Sequence, residues 1–252
     1  MINLLICGIG GKMGHTLLAA AQQDKEISDI IGFDKTKVTD LNIPVFTDYN
    51  NLPDNIDCII DFSRPEALSP MLDYAKNKSI PLVLATTGYS DTQMDQISKA
   101  SEFLPIVQSG NMSFGIAVMC ELVKSAANKL CEGFDIEIVE THHNQKVDSP
   151  SGTAIMLAKS VNEGLKKPRH LTFGRHSTNS KREKEEIGMH SLRGGSVVGE
   201  HAVNFFGIDE TITISHSAQS KTMFAIGAIK AAKFLIGKPN GLYGMKELFN
   251  SK

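Results

Sequence analysis

The chain has 252 residues, 41% of them hydrophobic and 21% charged, with a formal net charge of −2 at pH 7. That length suits one large or two modest domains around a sizeable core, and the composition is that of a globular protein. The near-balanced charge offers no footprint for nucleic acid or for an anionic membrane surface. The four cysteines, Cys7, Cys58, Cys120 and Cys131, make no C-x-x-C pair and no metal-ligand spacing. Cys7 and Cys58 sit inside apolar runs, so buried free thiols in a reducing compartment are expected. No basic leader segment or cleavage site opens the sequence, and the longest apolar run, Met223 to Ile236, is broken by Lys230 and Lys233. A cytoplasmic protein is expected.

In chain order, Ile2–Cys7 reads as a buried strand and runs straight into Gly8-Ile9-Gly10-Gly11-Lys12-Met13-Gly14. An amphipathic helix follows, with Leu17, Leu18 and Ala21 on its apolar face. Ile27–Phe33 is the next predicted strand, and Asp34 ends it. Strand, glycine turn, helix, strand and acid make a dinucleotide-binding unit. The glycines let the backbone approach a pyrophosphate, which the helix N-terminus then stabilises. Met13 stands where the strict G-x-G-x-x-G has its third glycine, so Gly8, Gly11 and Gly14 fit G-x-x-G-x-x-G better. Asp34 lies 20 residues beyond Gly14, where an acid that holds the ribose hydroxyls is expected. Lys12 and Lys35 are each placed to pair with a 2′-phosphate, which leaves both NADH and NADPH open.

The alternation continues with a strand at Asp57–Phe62, a helix at Pro65–Lys78, a strand at Leu82–Ala85, a short helix at Gln93–Ser101 and a strand at Pro105–Gln108. Alternation of this kind argues a parallel, doubly wound sheet, whose ligand lies along the carboxyl ends of its strands. Three strand ends are therefore of interest: Asp61 to Arg64, Ala85-Thr86-Thr87-Gly88 and Ser109-Gly110-Asn111-Met112. A long helix from Phe114 to about Leu130 leads out of this region, and a strand is predicted at Asp135–Glu140.

The next residues carry the densest chemistry: Glu140-Thr141-His142-His143-Asn144-Gln145-Lys146-Val147-Asp148-Ser149-Pro150-Ser151-Gly152-Thr153-Ala154. Ser151 is a predicted N-cap, so the amides of Gly152, Thr153 and Ala154 should point out of a helix start, where an anion is stabilised. With His142, His143 and Lys146 beside them, the loop reads as a pocket for a small carboxylate. A metal hydrolase would need better ligands than the adjacent His142 and His143 with Asp148, so no metal is expected. A semialdehyde dehydrogenase would need a nucleophilic cysteine in a polar site, which neither Cys120 nor Cys131 provides. A nucleotide sensor without turnover would have no use for His142, Lys146, Ser151, Gly152 and Thr153 together. Beyond this loop, Arg169–Arg175 is strand-like and the charged stretch from His176 to Glu186 is expected as a solvated, mobile loop. Runs at Met189–Gly195, Val197–Phe206 and Thr211–Ser215 suggest a sheet with one open face, of a kind commonly buried by another subunit. Met223–Ile236 is a helix with a stop at Gly237-Lys238-Pro239.

The glycine turn and the stretch from Glu140 to Ala154 together resemble the 4-hydroxy-tetrahydrodipicolinate reductase (dihydrodipicolinate reductase) family, which acts in the diaminopimelate route to lysine. The likeness runs through essentially the whole chain, including Ala85–Gly88, Gly110–Ser113, Arg193-Gly194-Gly195 and Gly199-Glu200-His201. It implies an α/β fold: a Rossmann-like doubly wound parallel sheet over residues 1–112, completed by 217–252, plus an α+β domain over 113–216 with an open mixed sheet for substrate and homotetramer contacts. It implies hydride transfer from NADH or NADPH to a cyclic imine dicarboxylate, with no nucleic acid or membrane partner. By the same resemblance, His142 is the general acid/base, Lys146 a second proton donor and His143 a substrate contact, while Ser151, Gly152 and Thr153 hold a substrate carboxylate. Gly8, Ile9, Gly10, Gly11, Lys12, Met13, Asp34, Lys35, Ala85, Thr86, Thr87, Ser109, Gly110, Asn111 and Met112 would hold the cofactor.

Overall fold

The structure is a computed structural model that describes residues 1–130 and 132–250; Cys131 lies outside the described residues. The chain divides into two compact units, one of residues 1–114 and 221–252 and the other of residues 115–220.

The first unit begins with β1 (Ile2–Cys7), α1 (Lys12–Ala21), β2 (Ile27–Phe33) and the short β3 (Val45–Phe46). It continues with β4 (Cys58–Asp61), α2 (Leu68–Lys78), β5 (Leu82–Leu84), α3 (Asp91–Ala100) and β6 (Pro105–Gln108). The second unit holds α4 (Phe114–Leu130), β7 (Asp135–His142), α5 (Gly152–Gly164), β8 (His170–Phe173), β9 (Glu186–Arg193), β10 (Gly199–Phe206) and β11 (Thr211–Ala218). The chain then returns to the first unit as α6 (Thr222–Leu235), β12 (Gly241–Tyr243) and α7 (Glu247–Asn250).

The first unit's sheet runs β12-β6-β5-β4-β1-β2-β3, with its neighbouring strands parallel among the described residues. Its strands are short apolar runs because both faces are covered, which is the rule for parallel sheets. Leu5, Ile59, Leu82 and Ile106 join the core with Leu68, Met71, Leu72 and Ala75 of α2 and Ile97 of α3. On the alternate positions Leu4, Ile6, Ile60 and Val83 are fully buried, and α6 packs on β4, β5 and β6 beside α1. Each fully buried Leu or Ile of these rows contributes roughly 1.5–3 kcal/mol. The consequence for function is directional: parallel strands bring the ends of β1, β4, β5 and β6 to one edge.

The second unit's sheet runs β11-β10-β7-β9-β8 and is mixed: β7 and β8 are parallel to β9, and β10 is antiparallel to β7 and β11. Ile136 and Ile138 of β7, Ile187 and Met189 of β9 and Val203 and Phe205 of β10 pack with α4 and α5 in one core. On the opposite face Glu200, Thr213, Ser215 and Ser217 are exposed, along with Leu192 and Phe206. That is the alternation of a sheet with one open side.

Two local expectations are corrected. β7 runs on to His142 rather than stopping at Glu140, because β10 stays in register with it to Thr141 and β9 to His142. The charged stretch after Arg175 stays largely exposed, as expected, but it is tied down at Arg182 within it and at Arg175 just before it. Arg182 donates from Nε to Glu137 Oε1 (3.1 Å), from Nη1 to Asp135 Oδ1 (2.8 Å) and from Nη2 to the Glu186 carbonyl (2.8 Å). Arg175 Nη2 reaches Glu137 and Glu186 at 2.8 and 2.6 Å. Glu137 and Glu186 are buried carboxylates that need counter-charge, and the loop supplies it. Burial pushes both carboxyls up, but the arginines, with His190 on Glu137 and Thr172 on Glu186, outweigh it and hold them below the ordinary range.

Candidate active site

Within the second unit, sheet register builds a polar row where the apolar core ends. Along β7 the core-facing positions are Ile136, Ile138, Glu140 and His142, since alternate residues share a face. Opposite Glu140 lie Ser191 of β9 and His201 of β10, and opposite His142 lies Arg193 of β9. The same face therefore changes from aliphatic to ionisable within one strand pair. It does so beside the N-terminus of α5.

Glu140 is the hub of this row, and its side chain is 1% exposed. Oε1 accepts from Arg193 Nη2 at 2.8 Å and from the Ser151 amide at 3.1 Å. Oε2 accepts from Arg193 Nη1 at 2.9 Å and faces His142 Nδ1 at 2.5 Å. Burial would raise the carboxyl, but the Arg193 fork, Ser191, His142 and the Ser151 amide together hold it down to about 2. Burial also lowers His142; the Glu140 carboxylate works against that, while Lys146 and Arg193 add to it. The edge of the His142 ring meets the His201 ring, with centroids 5.1 Å apart at 77°. His201 is pushed down to about 4 by burial first, then by the neighbouring His142. Glu140, His142 and His201 offer atoms within 4.8 Å of one another. Arg193 occupies both oxygens of that carboxylate, which disfavours a second cation there.

Ser151 joins the row to the helix. Its hydroxyl accepts from the Ala154 amide at 3.1 Å as the N-cap and meets His201 Nε2 at 2.9 Å. Lys146 lies on the loop between β7 and α5 and donates to Asp148 Oδ1 at 2.8 Å. The Asp148 carboxyl is held below its ordinary value, first by Lys146 and also by the Gly152 amide. In this state an internal carboxylate thus occupies the ammonium and one helix-start amide. His143 is anchored through its amide to the Val197 carbonyl at 2.8 Å. Of the residues expected to act on substrate, His142, Lys146 and Ser151 are linked to Glu140, Asp148 and His201 by these contacts, and Gly152 and Thr153 form the first turn of α5.

The first unit holds a second feature, a cavity of about 1000 Å³ at the ends of β1, β2 and β4. Gly8, Gly10, Gly11, Asp34 and Lys35 line it, as do Ser63 and Arg64. Gly8 takes φ +78°, and a Cβ there would stand 2.8 Å from the Phe62 carbonyl oxygen, so only glycine suits the turn. The Gly10 amide donates to Asp34 Oδ2 at 3.0 Å, which fixes the acid against the turn. Ile9 is fully buried and Lys12 and Met13 open α1, so Ile9 offers a ligand only its backbone. Ala85, Thr86 and Thr87 follow β5 and Ser109, Gly110, Asn111 and Met112 follow β6; none of them lines this cavity. Thr86 instead donates to the buried Asp61 at 2.7 Å, and Ser109 braces the backbone of Asn111. Glu140, Arg193 and His201 were not assigned site roles from sequence. The i, i+2 spacing of Glu140 and His142 on a strand is the signal that would have added Glu140, whereas Arg193 and His201 enter through strand register.

Two family models cover the chain: dihydrodipicolinate reductase, N-terminus, over residues 2–112 and dihydrodipicolinate reductase, C-terminus, over residues 115–249. The chain is 48% identical to the 4-hydroxy-tetrahydrodipicolinate reductase of Caldanaerobacter subterraneus subsp. tengcongensis, over 98% of both chains. It is 45% identical to the enzyme of that name from Clostridium tetani, over 100% of this chain and 98% of that one. Among solved structures, the dipicolinate-bound dihydrodipicolinate reductase of a Paenisporosarcina species matches with a TM-score of 0.80 at 23% identity, over 97% of each chain. GenD2 from gentamicin A biosynthesis, in complex with NAD, shares the fold with a TM-score of 0.61 at 12% identity, over 94% of this chain and 87% of that one. The chain belongs to the dihydrodipicolinate reductase family.

Removing the guanidinium tests the electrostatics of the row. Arg193→Met leaves Glu140 buried without its main counter-charge and should cost roughly 3 kcal/mol at pH 7. Glu140 in the wild type has its folded pKa depressed, so its contribution is complete above the unfolded value near 4.5 and is lost as pH falls through about 2. The deficit of the variant should shrink over that window, because a protonated Glu140 needs no counter-charge. Urea unfolding of both proteins from pH 7 to pH 2 measures it, and a deficit independent of pH would contradict this reading.

Proposed function

From that family membership we infer that this chain reduces 4-hydroxy-tetrahydrodipicolinate to tetrahydrodipicolinate with a nicotinamide nucleotide, in lysine biosynthesis by the diaminopimelate route. In balance, the substrate loses its hydroxyl as water and gains a hydride and a proton. The observation that supports this most is the row itself: an imidazole held by a buried carboxylate, beside a lysine and a capped helix start. Those are the groups that a small dicarboxylate undergoing protonation requires.

When bound, the nicotinamide supplies the hydride. The first unit has the residues to hold such a nucleotide. A turn that tolerates no Cβ at Gly8 lets the backbone approach a pyrophosphate; Gly10 and Gly11 shape that turn through their bonds to Asp34 and to the Gly8 carbonyl, Lys12 and Met13 offer the helix-start amides of α1, and Asp34 offers a carboxylate to a ribose. Ala85, Thr86 and Thr87 and the segment from Ser109 to Met112, at the same sheet edge, are assigned to the nicotinamide end. Lys35 lines the cavity beside Asp34, which suits a 2′-phosphate as Asp34 suits a free hydroxyl, so both NADH and NADPH serve.

The second unit's residues handle charge and protons. His142 turns Nδ1 to Glu140, so Nε2 is the atom left to deliver the proton to the reduced substrate. Lys146 stabilises developing negative charge and is the second proton donor. His143, Ser151, Gly152 and Thr153 take a carboxylate, which displaces Asp148 from Lys146 and the Gly152 amide. A dianion placed here opposes the burial that lowers His142 and so favours its protonated form. The open face of this unit's sheet, with Leu192 and Phe206 exposed, is assigned to subunit contacts of a homotetramer.

The activity is read from nucleotide oxidation at about 340 nm with the product of a dihydrodipicolinate synthase as substrate. His142→Ala should lower the rate by about 10²-fold or more; an unchanged rate would remove His142 from its role, and no oxidation by the wild type with either nucleotide would sink the reaction. In the same assay Lys35→Ala should raise the KM for NADPH and spare that for NADH. Sedimentation equilibrium should give a mass near four times 27.4 kDa, and a monomer would contradict the assembly.

A further inference from the structure

Glu140 neither reaches solvent nor sits in the roles assigned above, yet both of its oxygens are fully engaged. Arg193 takes the two oxygens at 2.8 and 2.9 Å, the Ser151 amide takes Oε1 at 3.1 Å, and His142 Nδ1 takes Oε2 at 2.5 Å. We propose that Glu140 is the positioning residue of this site: it fixes His142 in the tautomer that carries its proton on Nδ1 and leaves Nε2 for the substrate, and it ties that ring to the start of α5. The proposal rests on the reading of His142 as the acid/base group.

The tautomer follows from donor and acceptor types. A carboxylate kept ionised by a bidentate guanidinium only accepts, so the Nδ1 that faces it must donate. Neutral His142 then has its lone pair on Nε2. A proton taken up there gives an imidazolium with Nδ1–H still on Glu140, and its delivery to the substrate restores the starting tautomer. The carboxylate never needs to accept the proton, because Arg193 holds it as an anion throughout.

The groups around His142 make Glu140 the one that favours this cycle. Arg193 comes from β9, His201 from β10, Lys146 and Asp148 from the loop, and Ser151 from the helix start. Arg193 and Lys146 are cations that oppose an imidazolium, and Asp148 is engaged by Lys146. Glu140 is the anion bonded directly to the ring. Its bond to the Ser151 amide means that the same side chain sets the distance between the proton donor and the residues assigned to the substrate carboxylate. A carboxamide of the same shape could satisfy the helix start, but it would bring no charge and would place its NH2 toward both Arg193 Nη1 and His142 Nδ1.

The test uses the full chain labelled with ¹⁵N-histidine, with the His142 signals assigned from His142→Gln. At neutral pH the wild type should show a protonated Nδ1 and an unprotonated Nε2 on His142. Glu140→Gln should mix the tautomers and lower kcat on the order of 10²-fold. Its KM for the dicarboxylate should move much less, and Glu140→Asp should recover part of kcat. Because Glu140 raises the pKa of His142, its loss should also shift the basic limb of the kcat/KM profile to lower pH. A merely structural role would leave that limb in place. A wild-type His142 protonated on Nε2, or a Glu140→Gln variant with an unmoved pH profile, would overturn the proposal. If the variant does not fold, or if the wild type turns over no 4-hydroxy-tetrahydrodipicolinate, the wild-type tautomer still decides it.

Discussion

A carboxylate with one-hundredth of its surface exposed stays ionised only where donors replace the water it has lost. At Glu140 the donors are a guanidinium fork, a helix-start amide and an imidazole, from three separate segments of the chain. Each segment is positioned by that one anion. Arg193 fixes the end of β9 against β7, Ser151 fixes where α5 begins, and His142 is held at the last residue of its strand. Breaking a buried pair by removing one partner costs several kcal/mol, whereas the intact pair is near neutral in net stability. The row is better understood as a device for geometry than as a source of stability.

The two sheets explain why chemistry collects at their edges. In the first unit the central strands β1, β4, β5 and β6 are buried on both faces, so polar function is confined to the strand ends, where glycine turns and helix starts offer backbone amides. In the second unit one face is committed to α4 and α5, and the apolar alternation stops short of the end of β7. What remains beyond the last aliphatic pair is a small area next to a helix N-terminus, and it carries Glu140, His142, Arg193 and His201. On the function proposed above, the nucleotide supplies the hydride and these side chains handle the proton.

Much of the fold was legible because its signals are local. Short aliphatic runs punctuated by glycine and separated by amphipathic helices identify a parallel sheet, and Ser151 before Gly-Thr-Ala identifies a capped helix. Val45–Phe46 and Gly241–Tyr243 are not legible in the sequence because strands of two and three residues carry no period. The stretch after Arg175 has the composition of a solvated loop and stays largely exposed; the buried carboxylates that recruit Arg175 and Arg182 lie more than thirty residues away in sequence, at Glu137, or at the end of the stretch, at Glu186. For the site, the density of His142, His143, Lys146 and Ser151 was visible in one segment. Arg193 and His201 become neighbours of Glu140 only through strand register, which the residue pattern alone does not supply.

The most direct measurement is a crystal structure of the protein with pyridine-2,6-dicarboxylate and oxidised nucleotide. One carboxylate should lie within hydrogen-bond distance, about 2.7–3.2 Å, of the Gly152 and Thr153 amides, with Asp148 displaced from Lys146 and the pyridine ring beside His142 Nε2. A dicarboxylate bound away from the start of α5, with the Lys146–Asp148 pair intact, would contradict the assignment of this row as the site of reaction.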